Sequence, residues 1–430
     1  MSRDNILKRI YIKGKLKLIS PLIIGCGEDE NTDIDLMRDG EGNPFIPGSS
    51  IAGAIRHYLE EHIEESNGLI DTVFGKHGKE SRQSLIRFYD AKLMTDDAQI
   101  SIRDGLELDK ITKTTIKGAK YDYEILEPEQ YFEFRIESVI RENNSSQIKE
   151  IENLIYYALA FLKDERLSFG AKTRRGFGKV TIENEKVLNL SMENKDAIQT
   201  WINFSWGMVD KGVNISSLQH NILQLSKNNT EVIKASFFIP YSILIRHYAT
   251  GSSEADSVHL TSRGLPIIPG TSWNGAIRHG IYNILNELGK DDKFEEIKNT
   301  LFGFVKENTQ EACASRISIR ESVISDGEFL NYTRNRIDRF TGGVVDSALF
   351  EEKPHYNGRV DLQISIKKAQ KWEIGLLLLA LKDIGNGIQP IGGAANIGRG
   401  ILDLESINIQ NESEYLKALG KKMEGNNNEL

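Results

Sequence analysis

An acidic run near the amino terminus is the first place where side chains could do chemistry. It reads Glu28-Asp29-Glu30-Asn31-Thr32-Asp33-Ile34-Asp35, followed by Leu36-Met37-Arg38-Asp39. A carboxylate can ligate Mg2+, or orient a ribose 2′-hydroxyl for in-line attack on the neighbouring phosphate. Most acidic runs are simply solvated surface, so the run gains meaning only from what positions it. Two glycine-rich turns offer complementary chemistry. Residues 169–180 read FGAKTRRGFGKV and residues 391–402 read IGGAANIGRGIL. Glycines let backbone N–H groups approach a phosphate closely, and adjacent cations add charge. In the first turn, Gly170 and Gly176 are joined by Lys172, Arg174, Arg175 and Lys179. In the second, Gly392, Gly398 and Gly400 remain, but Asn396 and Ile397 stand where the two arginines were, leaving Arg399. A tight turn with exposed charges is the plain alternative.

A third pair of candidates lies on helices. Residues 46–57 read IPGSSIAGAIRH and residues 268–279 read IPGTSWNGAIRH, identical at nine of twelve positions and 222 residues apart. Arg56 and Arg278 share one position in this motif and could contact a phosphate backbone near a helix N-terminus; a surface ion pair is the plain alternative. His57 and His279 recur beside them and are given no chemistry. Ser49 or Ser50, and Thr271 or Ser272, are expected as N-caps. The helix after the first motif would bury Ile51, Ile55, Tyr58, Leu59 and Ile63; the second would bury Ile277, Ile281, Ile284, Leu285 and Leu288.

The elements that must position these residues follow from periodicity. Ile10, Ile12, Leu16 and Leu18 alternate with Tyr11, Lys13, Lys15 and Lys17, interrupted at Gly14, which predicts a half-buried strand. Phe132, Phe134 and Ile136 alternate with charges, as do Val360, Leu362, Ile364 and Ile366. A second helix is expected over 149–163 and over 371–384. Strand, helix, strands, helix, strand is a ferredoxin-like α+β pattern, with one sheet face covered by helices and the other open to a ligand.

The same 222-residue offset relates both motif pairs, and looser pairs between them keep the same order. The whole domain is therefore duplicated. The expected boundaries are a first domain over 1–200, a linker over 201–234 with its most polar part at Ser226-Lys227-Asn228-Asn229-Thr230, a second domain over 235–411, and a frayed tail over 412–430. The 430 residues carry a net charge of -8 with a pI of about 5.7, which argues against a protein that coats nucleic acid with its whole surface but leaves room for a local basic groove. Two cysteines, Cys26 and Cys313, lie far apart and in no metal-ligand spacing, so neither a disulfide scaffold nor a zinc ribbon is expected, and a reducing cytoplasm is the default. No apolar run is long enough to span a bilayer.

The Ile-Pro-Gly-x-Ser-x-x-Gly-x-x-Arg motif early and a glycine-rich turn late, each present twice, resemble the RAMP superfamily of CRISPR proteins. The pattern is similar to the backbone (Csm/Cmr-type) subunits of type III effector complexes, and two copies in one chain resemble fused subunits such as those of type III-D. Asn335-Arg336-Ile337-Asp338-Arg339-Phe340-Thr341-Gly342-Gly343 is similar to the protruding thumb hairpin of that family. The resemblance implies tandem RRM-like domains, thumbs over Lys110–Tyr123 and Arg339–Phe350, binding of CRISPR RNA and target RNA, and other type III subunits as partners. It implies RNA contacts from Ser49, Ser50, Arg56, Lys110, Lys113, Lys117, Gly170, Lys172, Arg174, Arg175, Gly176, Ser272, Arg278, Arg339, Phe340, Gly392, Gly398 and Arg399. Aligning Arg38-Asp39 with the family pair puts Asp33 on the aspartate that assists metal-dependent RNA cleavage, with Asp35 as the alternative. Counting back from the second Pro-Gly turn puts Asp256 at the matching place, with a one-residue gap. Mg2+ or another divalent ion is expected at Asp33 and Asp256. The rival functions are a non-catalytic RNA-binding scaffold and a metal-independent guide-processing endonuclease.

Overall fold

The computed structural model describes residues 4–25, 32–63, 68–78, 81–95, 97–106, 109, 116–215, 230–247, 255–306 and 311–424. Lys110, Lys113, Cys26 and the polar part of the expected linker, Ser226 to Asn229, lie outside the described residues. By contacts the chain divides into two compact units: Met1–Gly105, Tyr121–Thr173 and Phe177–Asn228 form one, and Leu106–Lys120, Arg174–Gly176 and Asn229–Leu430 the other.

The first unit begins with β1 (Ile6–Leu18) and α1 (Gly48–His62). Next come β2 (Ile86–Phe88), β3 (Ile100–Gly105), β4 (Tyr121–Leu126) and β5 (Tyr131–Arg141). It continues through α2 (Ile148–Lys163), β6 (Val180–Ser191) and α3 (Lys195–Ile202). The main sheet has the order β2-β5-β1-β6 with antiparallel neighbours. That is the ferredoxin-like order expected from the pattern. The alternation read in β1 sends Ile10, Ile12, Leu16 and Leu18 into a core shared with Ile51 and Ile55 of α1 and Leu159 of α2. Each such side chain, fully buried, contributes about 1.5–3 kcal/mol. Gly14 interrupts the alternation because β1 changes register against β6 between Lys13 and Lys15; a Cβ there would press on the Ile182 side chain.

The second unit repeats the plan with β7 (Thr230–Phe238), β8 (Ser257–His259) and α4 (Gly270–Glu287). Then follow β9 (Ile317–Ile319), β10 (Ser322–Ser325), β11 (Tyr332–Ile337) and β12 (Val344–Lys353). It closes with β13 (Arg359–Lys367), α5 (Lys371–Gly385), β14 (Asp403–Ile407) and α6 (Glu412–Glu424). β13 is flanked by β7 on one side and by β9 and β10 on the other, and β14 extends the sheet beyond β7. Two tandem α+β domains are thus present. Among the described residues no helix is long and apolar enough to cross a membrane.

Five expectations need correction. Leu288, expected on the buried face of α4, is its C-cap and is 50% exposed. Neither first helix is capped by its serine: the N-cap positions are Pro47 and Pro269, with no side-chain cap hydrogen bond. In α1 the Gly48 N–H instead donates to Asp90 Oδ1 at 2.7 Å, a partner supplied from a distant turn. The expected linker is shorter, because Val213 exchanges backbone hydrogen bonds with Val187 at 2.9 and 3.0 Å, and Thr230 already begins β7. The expected frayed tail is largely α6, which buries Leu419 and Met423 and joins α5 through the Lys371–Glu414 ion pair at 2.6 Å. Finally, the outer sheet face of the first unit is covered. Tyr11 stacks on Phe204 with ring centroids 3.9 Å apart, and Trp206 meets Tyr11 edge-on at 5.8 Å. Arg9 lies over Trp201 at 4.5 Å and Arg135 over Trp206 at 5.3 Å. Lys13 is paired with Asp210 at 3.0 Å. In the second unit the matching face, with Val232, Lys234, Arg359 and Asp361, is exposed.

Candidate functional site

The acidic segment of the first unit is laid along the hairpin strand β4. Ile34 pairs in parallel with Tyr123, and the Glu124 N–H donates to the Ile34 carbonyl at 3.0 Å. The Glu124 carboxylate accepts the Leu36 N–H at 3.0 Å and two bonds from Arg38 Nη2, both at 3.0 Å. Asp33 and Asp122 hold each other reciprocally: the Asp33 N–H donates to Asp122 Oδ1 at 3.0 Å, and the Asp122 N–H donates to Asp33 Oδ2 at 2.9 Å. Burial separates the two candidate aspartates. Asp35 is only 5% exposed and accepts a hydrogen bond from the Thr32 hydroxyl, so its carboxylate fastens the loop. Asp33 is exposed. Glu28 to Asn31 lie outside the described residues.

The second unit repeats the geometry with different residues. β8 runs parallel to β12, pairing Ser257 with Glu352 and Val258 with Lys353. The Glu351 N–H donates to Asp256 Oδ2 at 3.0 Å, and Asp256 is exposed. Asp33 against Asp122 and Asp256 against Glu351 are therefore the same arrangement at the base of two hairpins. Asp122 and Glu351 were missed in the sequence, because nothing local marks a strand residue whose backbone holds a carboxylate about ninety residues away. Gly251 to Glu254 lie outside the described residues.

The glycine-rich turns sit against the chain leading into each acidic segment. Gly170 and Gly392 have φ of 80° and 90°, which other residues adopt only with strain, and a Cβ at either would collide with the carbonyl of Ile23 or Leu244. The Ala171 N–H donates to the Ile23 carbonyl and the Gly393 N–H to the Leu244 carbonyl, both at 2.8 Å. Close approach to protein backbone thus accounts for Gly170 and Gly392. Gly176 and Gly398 are also at positive φ, 88° and 83°, and a Cβ on Gly398 would meet nothing within 4 Å. Lys172 turns inward, its Nζ 3.2 Å from the Tyr123 ring centroid and 4.7 Å from that of Tyr121, a cation–π arrangement. Arg174 is half-buried and Arg175 exposed.

The remaining candidates divide by exposure. Arg56 is engaged within its unit, with Glu60 and Asp71 at 2.8 Å each and the Gly75 carbonyl at 2.8 Å; it braces α1 against the following segment. Ser49 is exposed and Ser50, Ser272 and Arg278 are half-buried. Lys117 is exposed. The second hairpin is longer than expected, spanning β11 and β12. At its tip, Asp338 Oδ1 accepts the N–H of Phe340 at 3.0 Å and of Thr341 at 2.8 Å, and these bonds, that of Thr341 foremost, hold its carboxyl below the usual range. This fixed turn presents Arg339 and Phe340 outward, Phe340 being 98% exposed. Arg399 contradicts the expectation of an RNA contact. It is 2% exposed and ion-paired with Glu352 at 2.8 Å, and burial pulls its pKa down against the opposing pull of Glu352.

Two stretches, residues 15–181 and 244–403, match the model of the RAMP superfamily. Together they span well over half of the chain, and the protein belongs to that superfamily. Among individual proteins, it is 25% identical over 206 residues to "CRISPR system Cms endoribonuclease Csm3" of Methanocaldococcus jannaschii. That alignment spans 42% of this chain and 81% of the relative.

Proposed function

We propose that the chain is a backbone subunit of a type III CRISPR ribonucleoprotein, binding CRISPR RNA with each unit and cutting complementary target RNA beside each hairpin. The observation that carries this is the repeated placement of an exposed aspartate, Asp33 or Asp256, against the base of a hairpin. The relative's designation as an endoribonuclease supports the reaction class. In this reading the aspartate helps orient a ribose 2′-hydroxyl for attack on the adjacent phosphorus. The P–O5′ bond breaks, leaving a 2′,3′-cyclic phosphate and a 5′-hydroxyl.

The donor set fits a divalent ion shared with RNA. Among the described residues no three His, Cys, Asp or Glu side chains are grouped as a metal cage. Mg2+, however, is commonly held by one or two carboxylates together with substrate phosphates and water. Asp33 with Asp122, or Asp256, would be its protein ligands, and a bound ion would supply charge for the developing phosphorane. The protein's own part is to hold the carboxylate still through the N–H of Asp122 or Glu351.

The test maps cuts in an end-labelled complementary target, using the complex assembled with guide RNA and Mg2+. Asp33→Ala and Asp256→Ala should each erase one distinct cut and leave guide binding intact. An unchanged cut pattern in both would leave the scaffold reading, in which another subunit cuts.

A further inference from the structure

The two hairpin bases share one backbone plan but carry different chemistry. In the first unit, Arg103 and Tyr123 face each other across β3 and β4. Phe177, from the glycine-rich turn, closes on both: its ring centroid is 6.3 Å from that of Tyr123 and 5.7 Å from the Arg103 guanidinium. In the second unit, Tyr332 and Glu352 face each other across β11 and β12. Arg399 stands 222 residues after Phe177, at the same place in its turn. It lies 5.4 Å over the Tyr332 ring and 2.8 Å from the Glu352 carboxylate. Between the two units a cation and an aromatic ring have exchanged places, and a carboxylate replaces the second ring.

The second arrangement bears on Asp256. Glu352 adjoins Glu351, whose N–H holds the Asp256 carboxylate, and it pairs with Ser257, which adjoins Asp256. Its side chain is 14% exposed, so a counter-charge is needed. Arg246 and Arg334 approach Glu352 at 4.0 and 3.8 Å, but their side chains are 48% and 41% exposed. Arg399, at 2%, is the buried partner. It is carried by Gly398 and Gly400, whose turn is fixed where the Gly400 N–H donates to the Ser242 carbonyl at 2.8 Å.

We propose that Arg399 is a positioning residue for Asp256, acting through Glu352, so that the second site depends on a buried ion pair where the first depends on an edge-to-face ring pair. This rests on Asp256 being the reacting carboxylate of the second site.

The experiment compares single-turnover rates of the two cuts in the assembled complex at saturating target. The variants are Asp256→Ala, Arg399→Met, Arg399→Lys and the triple graft Arg399→Phe, Glu352→Tyr, Tyr332→Arg, which installs the first unit's residues. The Asp33-dependent cut in the same molecules reports folding and assembly. A carboxylate displaced by about 1 Å can lose on the order of 100-fold in rate. Arg399→Met should therefore slow the Asp256-dependent cut about 10–100-fold, with target affinity and the other cut unchanged. Arg399→Lys should lose less, and the graft should recover to within a few-fold of wild type. The proposal is overturned if Arg399→Met leaves the Asp256-dependent rate within about twofold, or lowers both cuts equally. If Arg399→Met does not assemble, the graft decides: assembly with the second cut still lost overturns the proposal, and recovery supports it. An Asp256→Ala variant that keeps both cuts overturns the underlying functional reading as well, which separates the two failures.

Discussion

His259 illustrates how one buried side chain sets a property of its whole unit. It is 2% exposed. Its Nδ1 accepts the Ile245 N–H at 3.2 Å, and its Nε2 lies 3.1 Å from the Ile267 carbonyl. Nδ1 also lies 3.1 Å from the Ile243 carbonyl, and together these contacts join the segment before β8 to the strand that enters α4. Burial, with His355 a smaller contributor, pushes its pKa from 6.5 down to about 3. Between those values the unfolded chain binds a proton that the folded chain refuses, so stability rises with pH across the window and falls as pH drops below about 6.5. The steepest loss is about 1.4 kcal/mol per pH unit. His355, also pushed down by burial, adds in the same direction. Urea midpoints between pH 7 and pH 4.5 should fall for the wild type and fall less for His259→Gln. Equal slopes would mean that other groups govern the acid response. The same contrast between buried and exposed decides the aspartates, since Asp35 is consumed by Thr32 while Asp33 reaches solvent.

Among the elements, the hairpin β11–β12 combines a rigid tip with unsatisfied apolar surface. Ile337, Phe340, Val344, Leu349 and Phe350 are all more than half exposed, which no folding requirement explains. Phe340→Ala should leave the melting temperature almost unchanged, because an exposed side chain contributes within about 0.5 kcal/mol. If Phe340 stacks on a base, removing it costs about 1–3 kcal/mol of that contact, read as a weakened Asp256-dependent cut in the assembled complex. An unaltered cut would limit the tip to a spacer. The hairpin also marks how far the sequence could be read. Period-two alternation in β1, β5 and β13 was legible because each strand has one buried face, and the glycine turns were legible because their φ values admit little else. The parallel pairing of Asp33 with β4 and of Asp256 with β12 was not, since contacts spanning 89 and 95 residues leave no periodic trace. The serine cap of α1 fails for the same reason: Asp90 supplies the Gly48 partner from 42 residues away.

Over the whole molecule, duplication has kept the core and rewritten the surface. An RRM-like sheet suggests bases stacked on its outer face, yet the first unit fills that face with its own Phe204 and Trp206 on Tyr11. Trp201 takes Arg9, and Asp210 takes Lys13. Val209, Leu190 and Tyr11 form a small core beneath. Aromatic rings and cations that could have bound RNA are thereby spent on the chain itself. In the proposed reading, RNA on the first unit would run along the hairpin base and glycine-rich turn, beside Asp33, rather than across the sheet. Trp206→Ala should accordingly lower the stability of the first unit by about 1–3 kcal/mol while leaving guide affinity per folded molecule unchanged. Ultraviolet crosslinking of the assembled complex should label neither Phe204 nor Trp206. A crosslink at either ring, or a loss of guide binding larger than the loss of folded protein, would mean that the segment over 195–213 lifts away and the sheet face is used after all.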